Sequence, residues 1–363
     1  MRLRWVLVTA ISLPACGRSG FDADGGRDAG GDAAGRANVA FVTSGTSDGV
    51  FAPPLAAADA SCANAAASAG LPGTFVAWIS DAGTNAIDRL AGSRGWVRTD
   101  GQPLADTPNS LVAGALFNPL VLDEHGIAIS TSDPVWTGTG PDGHLASDCN
   151  EWTTDSATIG YAGEDLPSFT AAEESQVICG SAQAHLYCFE TGRDVAVAPV
   201  ATSGGRIAFV GRPRTPADDS QSQLDQLCAT DATTAGLTGT FLAAVATTAS
   251  SISSRFPLDA RPWVRVDGTV IATTGARLFD GTTLETFVNQ AADGSYDASF
   301  GNFLSGATSP YVDGIDSLDC TSWSFTGAGG LALVGNSHTT TAAFWNSDND
   351  TCDQADRVLC LQQ

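Results

Sequence analysis

The sequence predicts an α+β protein that is built twice from one kind of domain. Three observations lead to this prediction: an internal repeat, a matched set of cysteines in each copy, and few helical segments among many short strands. The connecting loops are long and rich in Gly, Thr, Ser and Asp. Few helices, several strands and long loops together indicate the α+β class.

Five blocks of sequence recur in the same order in the two halves of the chain. The period is about 165 residues, which is typical of tandem domains and not of solenoid units. We define residues 38–191 as the first repeat, residues 192–205 as the linker and residues 206–363 as the second repeat. The matched blocks begin at Asn38 and Arg206, Cys62 and Cys228, Trp96 and Trp263, Asp148 and Asp319, and Leu186 and Val358.

Each repeat holds four cysteines, and a ninth cysteine, Cys16, precedes them. Matched even sets in an exported protein are typical of a disulfide framework. Four cysteines allow three pairings, among which the residues alone do not decide. No Cys-x₂-Cys spacing occurs, which disfavours zinc. The framework cysteines are Cys62, Cys149, Cys179 and Cys188, then Cys228, Cys320, Cys352 and Cys360.

The N-terminus has the pattern of a bacterial export signal. Arg2 and Arg4 precede a short apolar stretch, and Leu13-Pro14-Ala15-Cys16 resembles the lipobox whose cysteine receives a lipid. The alternative is an ordinary secretory signal with a stray cysteine. Because the other eight cysteines form even sets, the odd one favours lipidation of Cys16. We therefore expect a lipoprotein signal peptide at residues 1–16 and a disordered Gly/Asp/Ala linker at residues 17–37.

Charge excludes several classes of partner. The formal net charge is −23 and all 17 basic residues are arginine. Such a surface repels nucleic acid, anionic lipid and heparin-like chains. We expect no nucleic-acid partner, and contact with the membrane only through the lipid anchor.

A helix is predicted after the first strand of each repeat. Apolar residues at helical spacing place Cys62 and Cys228 on the buried face. In the second repeat Thr215 is the expected N-cap, with Pro216 at the first helical position. Strands are expected around Phe41 and Phe209 and over residues 75–80 and 241–245, and a second short helix near residues 85–90.

Three stretches of the first repeat resemble the endostatin domain of collagens. They are residues 69–80 (AGLPGTFVAWIS), residues 135–152 (VWTGTGPDG, then CNEW) and residues 186–190 (LYCFE). The second repeat matches more loosely. The sequence also resembles the bacterial endostatin-like lipoproteins of leptospires. This resemblance implies adhesion to host matrix proteins or complement regulators.

The resemblance implies a C-type-lectin-like fold, with a helix pair, an antiparallel sheet and a long irregular loop region. It also implies nested disulfides, the first cysteine of each repeat with the fourth and the second with the third. Endostatin's zinc histidines and arginine-rich heparin face are absent from this sequence, and so are the paired sugar-binding motifs of calcium-dependent lectins. The resemblance therefore implies no metal, heparin or calcium-dependent sugar site.

Candidate ligand-binding residues lie in the Gly-rich stretch of the first repeat. Trp136, Asp142 and His144 are the expected ligand surface, and Asp148 adds a second acid near His144. None of the four histidines recurs in the other repeat and no nucleophile-elbow motif occurs, so we expect no enzyme and no cofactor. Trp152 and Trp323 are expected to pack against a disulfide.

Residues 346–350 (NSDND) supply oxygen atoms that suit a hard cation. They lack the glycine and the terminal glutamate of a calcium loop. We interpret this segment as an acidic loop held by Cys352, and we expect no metal there.

The sequence thus favours a cell-surface lipoprotein of the bacterial outer membrane, acting as a non-catalytic binding or adhesion module. Its expected partner is an extracellular matrix protein or a polysaccharide. A structural envelope protein without a discrete ligand is the first alternative, and a secreted hydrolase is the second.

Replacement of Cys16 tests the anchor. Cys16→Ser removes the only thiol that the lipobox offers, so we expect the protein to lose incorporation of an alkyne fatty acid and to leave the membrane fraction. Cys62→Ser, which affects a framework cysteine, serves as the control and is expected to keep the label. Equal labelling of wild type and Cys16→Ser would contradict lipidation.

Overall fold

In their described residues, both repeats contain eight strands in the same succession around one long helix. The computed structural model describes residues 35–130, 133–153, 159–163, 174–180, 183–213, 220–280, 284–297, 301–325 and 327–363. The first repeat has helices α1 (Pro54–Ser68) and α2 (Pro108–Val112) and strands β1 (Asn38–Val42), β2 (Thr74–Ala77), β3 (Trp96–Val97), β4 (Pro103–Ala105), β5 (Val135–Trp136), β6 (Ile159–Gly163), β7 (Glu174–Ile178) and β8 (His185–Thr191).

The second repeat follows the same plan. It has helices α3 (Gln221–Thr234) and α4 (Gly275–Phe279) and strands β9 (Arg206–Val210), β10 (Phe241–Ala243), β11 (Trp263–Val264), β12 (Val270–Ala272), β13 (Asn302–Leu304), β14 (Leu331–Asn336), β15 (Asp348–Thr351) and β16 (Leu359–Gln362). The α+β class is confirmed. The second helix expected near residues 85–90 is a single 3₁₀ turn, Ile87–Leu90, so one long helix takes the place of a pair.

The first and last strands of each repeat lie side by side at the centre of its sheet. The first repeat has the strand order β4-β3-β1-β8-β5-β6-β7, with β2 also on β8. In the second repeat, β10-β16-β9-β11-β12 and β13-β14-β15 form separate sheets. A bridge from Phe303 to Arg357 links β13 to the residues before β16, where β5 pairs with β8 in the first repeat.

The expected antiparallel sheet is corrected to a mixed one. The pairs β1–β3, β9–β11 and β5–β8 are parallel. A parallel pair needs a long crossover connection, and α1 with β2, or α3 with β10, supplies it between the first two of these pairs. The sequence blocks identify the strands but do not give their direction.

Helix α1 and its counterpart α3 bury the faces that the apolar spacing predicts. Ala58, Cys62 and Ala66 of α1 are buried, and Gly70, at φ 70°, follows its last turn. In α3 the N-cap is Ser220, whose N–H donates to the Gln223 side chain at 2.8 Å. The expected N-cap Thr215 and the expected first helical residue Pro216 lie outside the described residues. The helix begins at Gln221, five residues later than predicted.

Four disulfides clamp the two repeats in the nested pattern. Cys62 of α1 is bonded to Cys188 of β8, and Cys149 to Cys179. The second repeat has the corresponding bonds Cys228–Cys360 and Cys320–Cys352. The predicted disulfide framework is confirmed, and its pairing is the one that the resemblance implies. In each repeat the first bond ties the long helix to the central strand pair.

An ion pair repeated in both halves fixes the long helix to the strand that follows it. Asp59 of α1 accepts from the N–H of Ala77 at 2.9 Å, and Arg89 donates to Asp59 and to the carbonyl of Ala77. Asp225 and Arg255 make the corresponding contacts with Ala243 in the second repeat. The two copies therefore share polar anchors as well as disulfides.

The second of the four framework cysteines in each repeat lies in a left-handed helical turn. Residues Cys149–Trp152 have φ values of 53–57°, and Cys320–Trp323 have values of 50–68°. Left-handed backbone costs L-residues about 1–2 kcal/mol each. Asp148 and Asp319 offset part of this cost, because each carboxylate accepts an N–H of its own turn, at 3.0 and 2.8 Å.

The tryptophan that ends each turn points into the core. Trp152 donates its indole N–H to the carbonyl of Ser80 at 2.8 Å, and Trp323 donates to Ala246 at the same distance. Both side chains are fully buried, as the sequence predicted. A Cβ atom at Gly138 would lie 2.6 Å from the Trp152 ring, so that position requires glycine.

A buried arginine joins the two repeats. Arg265 is 0% exposed and donates to the carbonyl of Leu116, in the first repeat, at 2.9 Å. The same guanidinium binds Asn289 at 2.8 Å and Asp267 at 2.7 Å. Asn289 in turn donates to the carbonyl of Gly114 at 2.9 Å. Polar groups of the second repeat thereby satisfy the backbone of a loop of the first.

Apolar contacts complete this junction. Phe287 of the second repeat packs within the first repeat's core, and Thr286 donates to the carbonyl of Phe117 at 2.8 Å. Phe117 also contacts the ring of Tyr296, with centroids 6.4 Å apart. Burial raises the pKa of Tyr296 to about 12, so its hydroxyl stays protonated at this junction. Residues 34–363 accordingly form one compact unit that contains both repeats.

Replacement of Arg265 tests the junction. Arg265→Ala leaves Asp267 without its buried cation and removes the shorter of the two hydrogen bonds to the Leu116 carbonyl, a change that costs about 3 kcal/mol or more. We expect the wild type to unfold in denaturant in one transition, and Arg265→Ala to unfold at lower denaturant concentration and in two. Arg98→Ala is the matched control, because Arg98 holds the corresponding place in the first repeat and contacts only that repeat. A single, unshifted transition in Arg265→Ala would contradict the account.

Candidate functional site

Trp136 lies in the core of the first repeat. Its side chain is 0% exposed, and its indole N–H donates to the carbonyl of Ser47 at 2.9 Å. The ring meets Trp152 edge to face, with centroids 6.0 Å apart. A Cβ atom at Gly49 would lie 2.8 Å from the Trp136 ring, which shows how closely the backbone covers it. The ring therefore offers no surface to a ligand in this structure.

Asp142 and His144 lie together in an exposed turn. The Asp142 carboxylate accepts the N–H of His144 at 3.0 Å, and the His144 Nδ1 atom lies 3.2 Å from the same carboxylate. The hydrogen bond from the His144 backbone lowers the pKa of Asp142. Asp148 is committed to the left-handed turn and binds the N–H of Glu151 instead. The expected surface is thus an exposed acid and imidazole, separate from Trp136.

The other histidines lie in different environments. His125 is exposed and 3.7 Å from Glu124. His185 is buried, with Nδ1 2.6 Å from the carbonyl oxygen of Thr43. His338 lies near Asp297, and its burial lowers its pKa. The four imidazoles are thus spread over both repeats.

The second repeat presents apolar side chains at the corresponding turn. Residues 306–319, which we call the apolar loop, follow β13 as residues 138–148 follow β5. Tyr311, Val312 and Ile315 are 46%, 44% and 36% exposed. The loop is fixed by its backbone, since Gly314 donates to the carbonyl of Thr247 at 2.8 Å. No sequence block covers this loop, so comparison of the copies did not find it.

Acidic side chains surround the apolar loop. Asp313 and Asp316 are exposed within it. Asp280 lies close enough to raise the pKa of Tyr311, together with the larger effect of burial. The Tyr311 hydroxyl reaches the carbonyl of Ala276 at 3.5 Å, which orients the ring. The loop therefore combines an exposed aromatic and aliphatic centre with a negative rim.

The segment at residues 346–350 is not a free acidic loop. Asp348–Thr351 forms the edge strand β15, which pairs with β14. Nearby, Asp356 is 7% exposed, and burial followed by the charge of Asp350 raises its pKa to about 7. Within the described residues no group of three or more His, Cys, Asp or Glu side chains is arranged to hold a metal ion.

No protein-family model and no curated protein matches the chain. In the described part of the chain, no helix is long and apolar enough to cross a bilayer.

Asp356 makes stability depend on pH. Its ordinary pKa is 3.8, so between about pH 4 and pH 7 the folded chain keeps a proton that the unfolded chain has lost. The contribution of Asp356 to stability therefore falls as pH rises through this interval. Asn cannot titrate, so the stability gain of Asp356→Asn over wild type is expected to grow from pH 4 to pH 7 and then stay level. Urea titrations at several pH values measure it.

The control is Asp353→Asn, an exposed carboxyl three residues away. Its difference from the wild type is expected to vary little over the same interval. Parallel stability curves for wild type and Asp356→Asn would show that Asp356 titrates as an ordinary carboxyl.

Proposed function

We propose that this protein is an exported, lipid-anchored cell-surface module that binds an extracellular protein without catalysis. In this proposal each repeat is an endostatin-like domain of C-type-lectin-like fold, and Cys16 anchors the chain to the bacterial outer membrane. The four disulfides support an oxidising location outside the cytoplasm. The Gly/Asp/Ala segment between Cys16 and the first repeat has the composition of a tether.

The apolar loop carries the binding proposal. Isolated exposed apolar side chains are ordinary on protein surfaces, but Tyr311, Val312 and Ile315 lie within five residues on one fixed loop. A tyrosine with aliphatic neighbours and a polar rim has the composition of an interaction hot spot. Because backbone hydrogen bonds already hold the loop, little ordering entropy is lost on binding. A protein partner gains more from such a surface than a polysaccharide does.

The negative charge of the protein indicates the charge of the partner surface. The chain carries a net charge of −23, and Asp313 and Asp316 flank the apolar side chains. A complementary surface has an apolar patch between basic residues. Attraction of this kind weakens as salt screens it, so association with the partner is expected to slow as ionic strength rises.

A triple replacement in the apolar loop tests the function. Lipid-free chain starting at residue 17 is applied to arrays of extracellular matrix proteins and glycans, with and without calcium. We expect binding to at least one protein, weakened by about tenfold or more in Tyr311→Ser/Val312→Ser/Ile315→Ser, because these side chains form the contact. The control replaces exposed apolar residues elsewhere, Ile127→Ser/Val200→Ser/Leu258→Ser, and is expected to bind as wild type.

Absence of binding to every protein and glycan would contradict the proposal and favour a structural role in the envelope. Equal loss in the loop variant and the control would place the contact elsewhere and overturn the role of the apolar loop.

A further inference from the structure

A cavity lies at the end of the first strand in the first repeat. Its volume is about 260 Å³, and it is enclosed by the residues after β1, one face of α1 and the start of β8. Apolar groups make up the larger part of its wall, with Ala65, Ala184 and Leu186 among them, and polar side chains supply the rest. The polar lining residues are Thr43, Thr46, Ser47, Ser61 and Glu124.

The cavity contains a buried carboxylate without a permanent cation. The Glu124 side chain is 3% exposed. Its oxygens accept the backbone N–H of Ser44 at 2.8 Å and the Ser44 hydroxyl at 2.5 Å. The one ion-pair contact found for it among the described residues is with His125, at 3.7 Å. Buried charges in proteins are generally paired, so this carboxylate lacks the partner that its burial calls for.

A second polar group in the wall is also unsatisfied. The Ser47 Oγ atom is buried and has no hydrogen-bond partner in the described part of the chain. Its backbone is held on both sides, because its N–H donates to Ala184 at 2.8 Å and its carbonyl accepts from Trp136. The hydroxyl is thus fixed in position with its hydrogen-bonding capacity unused.

The corresponding cavity of the second repeat is lined in part by an arginine, whose side chain is largely exposed. That cavity measures about 400 Å³ and is lined by Gly211, Asp231 and Ala292, at the places of Thr43, Ala65 and Glu124. Arg212 stands at the place of Ser44, and its Nη2 atom lies 2.6 Å from Asp231. The second repeat therefore supplies both charges of an ion pair, whereas the first repeat supplies only the negative one.

We propose that the cavity of the first repeat binds a primary ammonium group, which completes this pair. An ammonium is compact and has three donors that are free to rotate toward separate acceptors. Glu124 and Ser47 are two such acceptors, and Ala65 and Leu186 cover the attached carbon chain. A guanidinium fits less well, because its planar fork requires both carboxylate oxygens and Ser44 already occupies one site on each.

The ammonium comes either from a small amine such as an amino sugar or from a lysine side chain of another protein. Isothermal titration of the lipid-free chain with glucosamine and with Nα-acetyl-lysine methylamide distinguishes these sources. The neutral counterparts are N-acetylglucosamine and Nα-acetyl-norleucine methylamide. We expect at least one of the two amines to bind with millimolar affinity, and its neutral counterpart to bind about tenfold more weakly or not at all.

Glu124→Gln is expected to weaken amine binding by about tenfold or more, because the amide keeps the shape but loses the charge. Asp353→Asn removes the same charge from an exposed position of the second repeat and is expected to bind as wild type. Ala65→Leu, which fills the cavity from α1 and leaves the carboxylate intact, is expected to abolish binding. Ala65→Leu therefore still tests the proposal if Glu124→Gln does not fold.

Equal affinity for an amine and its neutral counterpart would overturn the proposal, as would unchanged binding by Glu124→Gln and Ala65→Leu. Absence of heat with every probe would overturn it too. The site does not depend on the apolar loop, so the triple loop variant is expected to bind amines normally and the two proposals fail separately.

Discussion

Pairing of the first and last strands of each repeat is the constraint on which the rest of the structure depends. Phe41 of β1 lies opposite Cys188 of β8, and that cysteine is bonded to α1. Phe209 and Cys360 have the same relation in the second repeat. In the chain-entropy description, closing a loop of 126 residues stabilises the fold by roughly 4–5 kcal/mol. The strand pair also brings the ends of a repeat together, so a second copy can follow directly.

The functional features form where this central pair meets other elements. The cavity of the first repeat lies where β1 ends beside α1 and β8 begins. The left-handed turns and the loops before them lie next to the tryptophans that pack on the same core. Because Arg265 and Phe287 tie the second repeat to the first, the turn at Asp142 and the apolar loop belong to one compact unit.

The sequence predicted those features that depend on a local pattern or that recur in both repeats. Helical spacing placed Cys62 and Cys228 on buried faces, and the matched cysteine sets indicated the disulfide framework; both are confirmed. The sequence did not indicate that Trp136 is buried, because its cover comes from Gly49, which is distant along the chain. The sequence also did not indicate that Arg265 is buried between the repeats. Arg98 has the same local sequence but contacts only its own repeat. The sequence of the apolar loop differs from that of residues 138–148, so similarity between the repeats did not indicate it.

Both repeats are closed by the same nested disulfides, first cysteine to fourth and second to third. Peptide mapping of the non-reduced protein by mass spectrometry tests this pairing. We expect linked peptides containing Cys62 with Cys188, Cys149 with Cys179, Cys228 with Cys360, and Cys320 with Cys352. Peptides that link Cys62 to Cys149, or a cysteine of one repeat to a cysteine of the other, would contradict it.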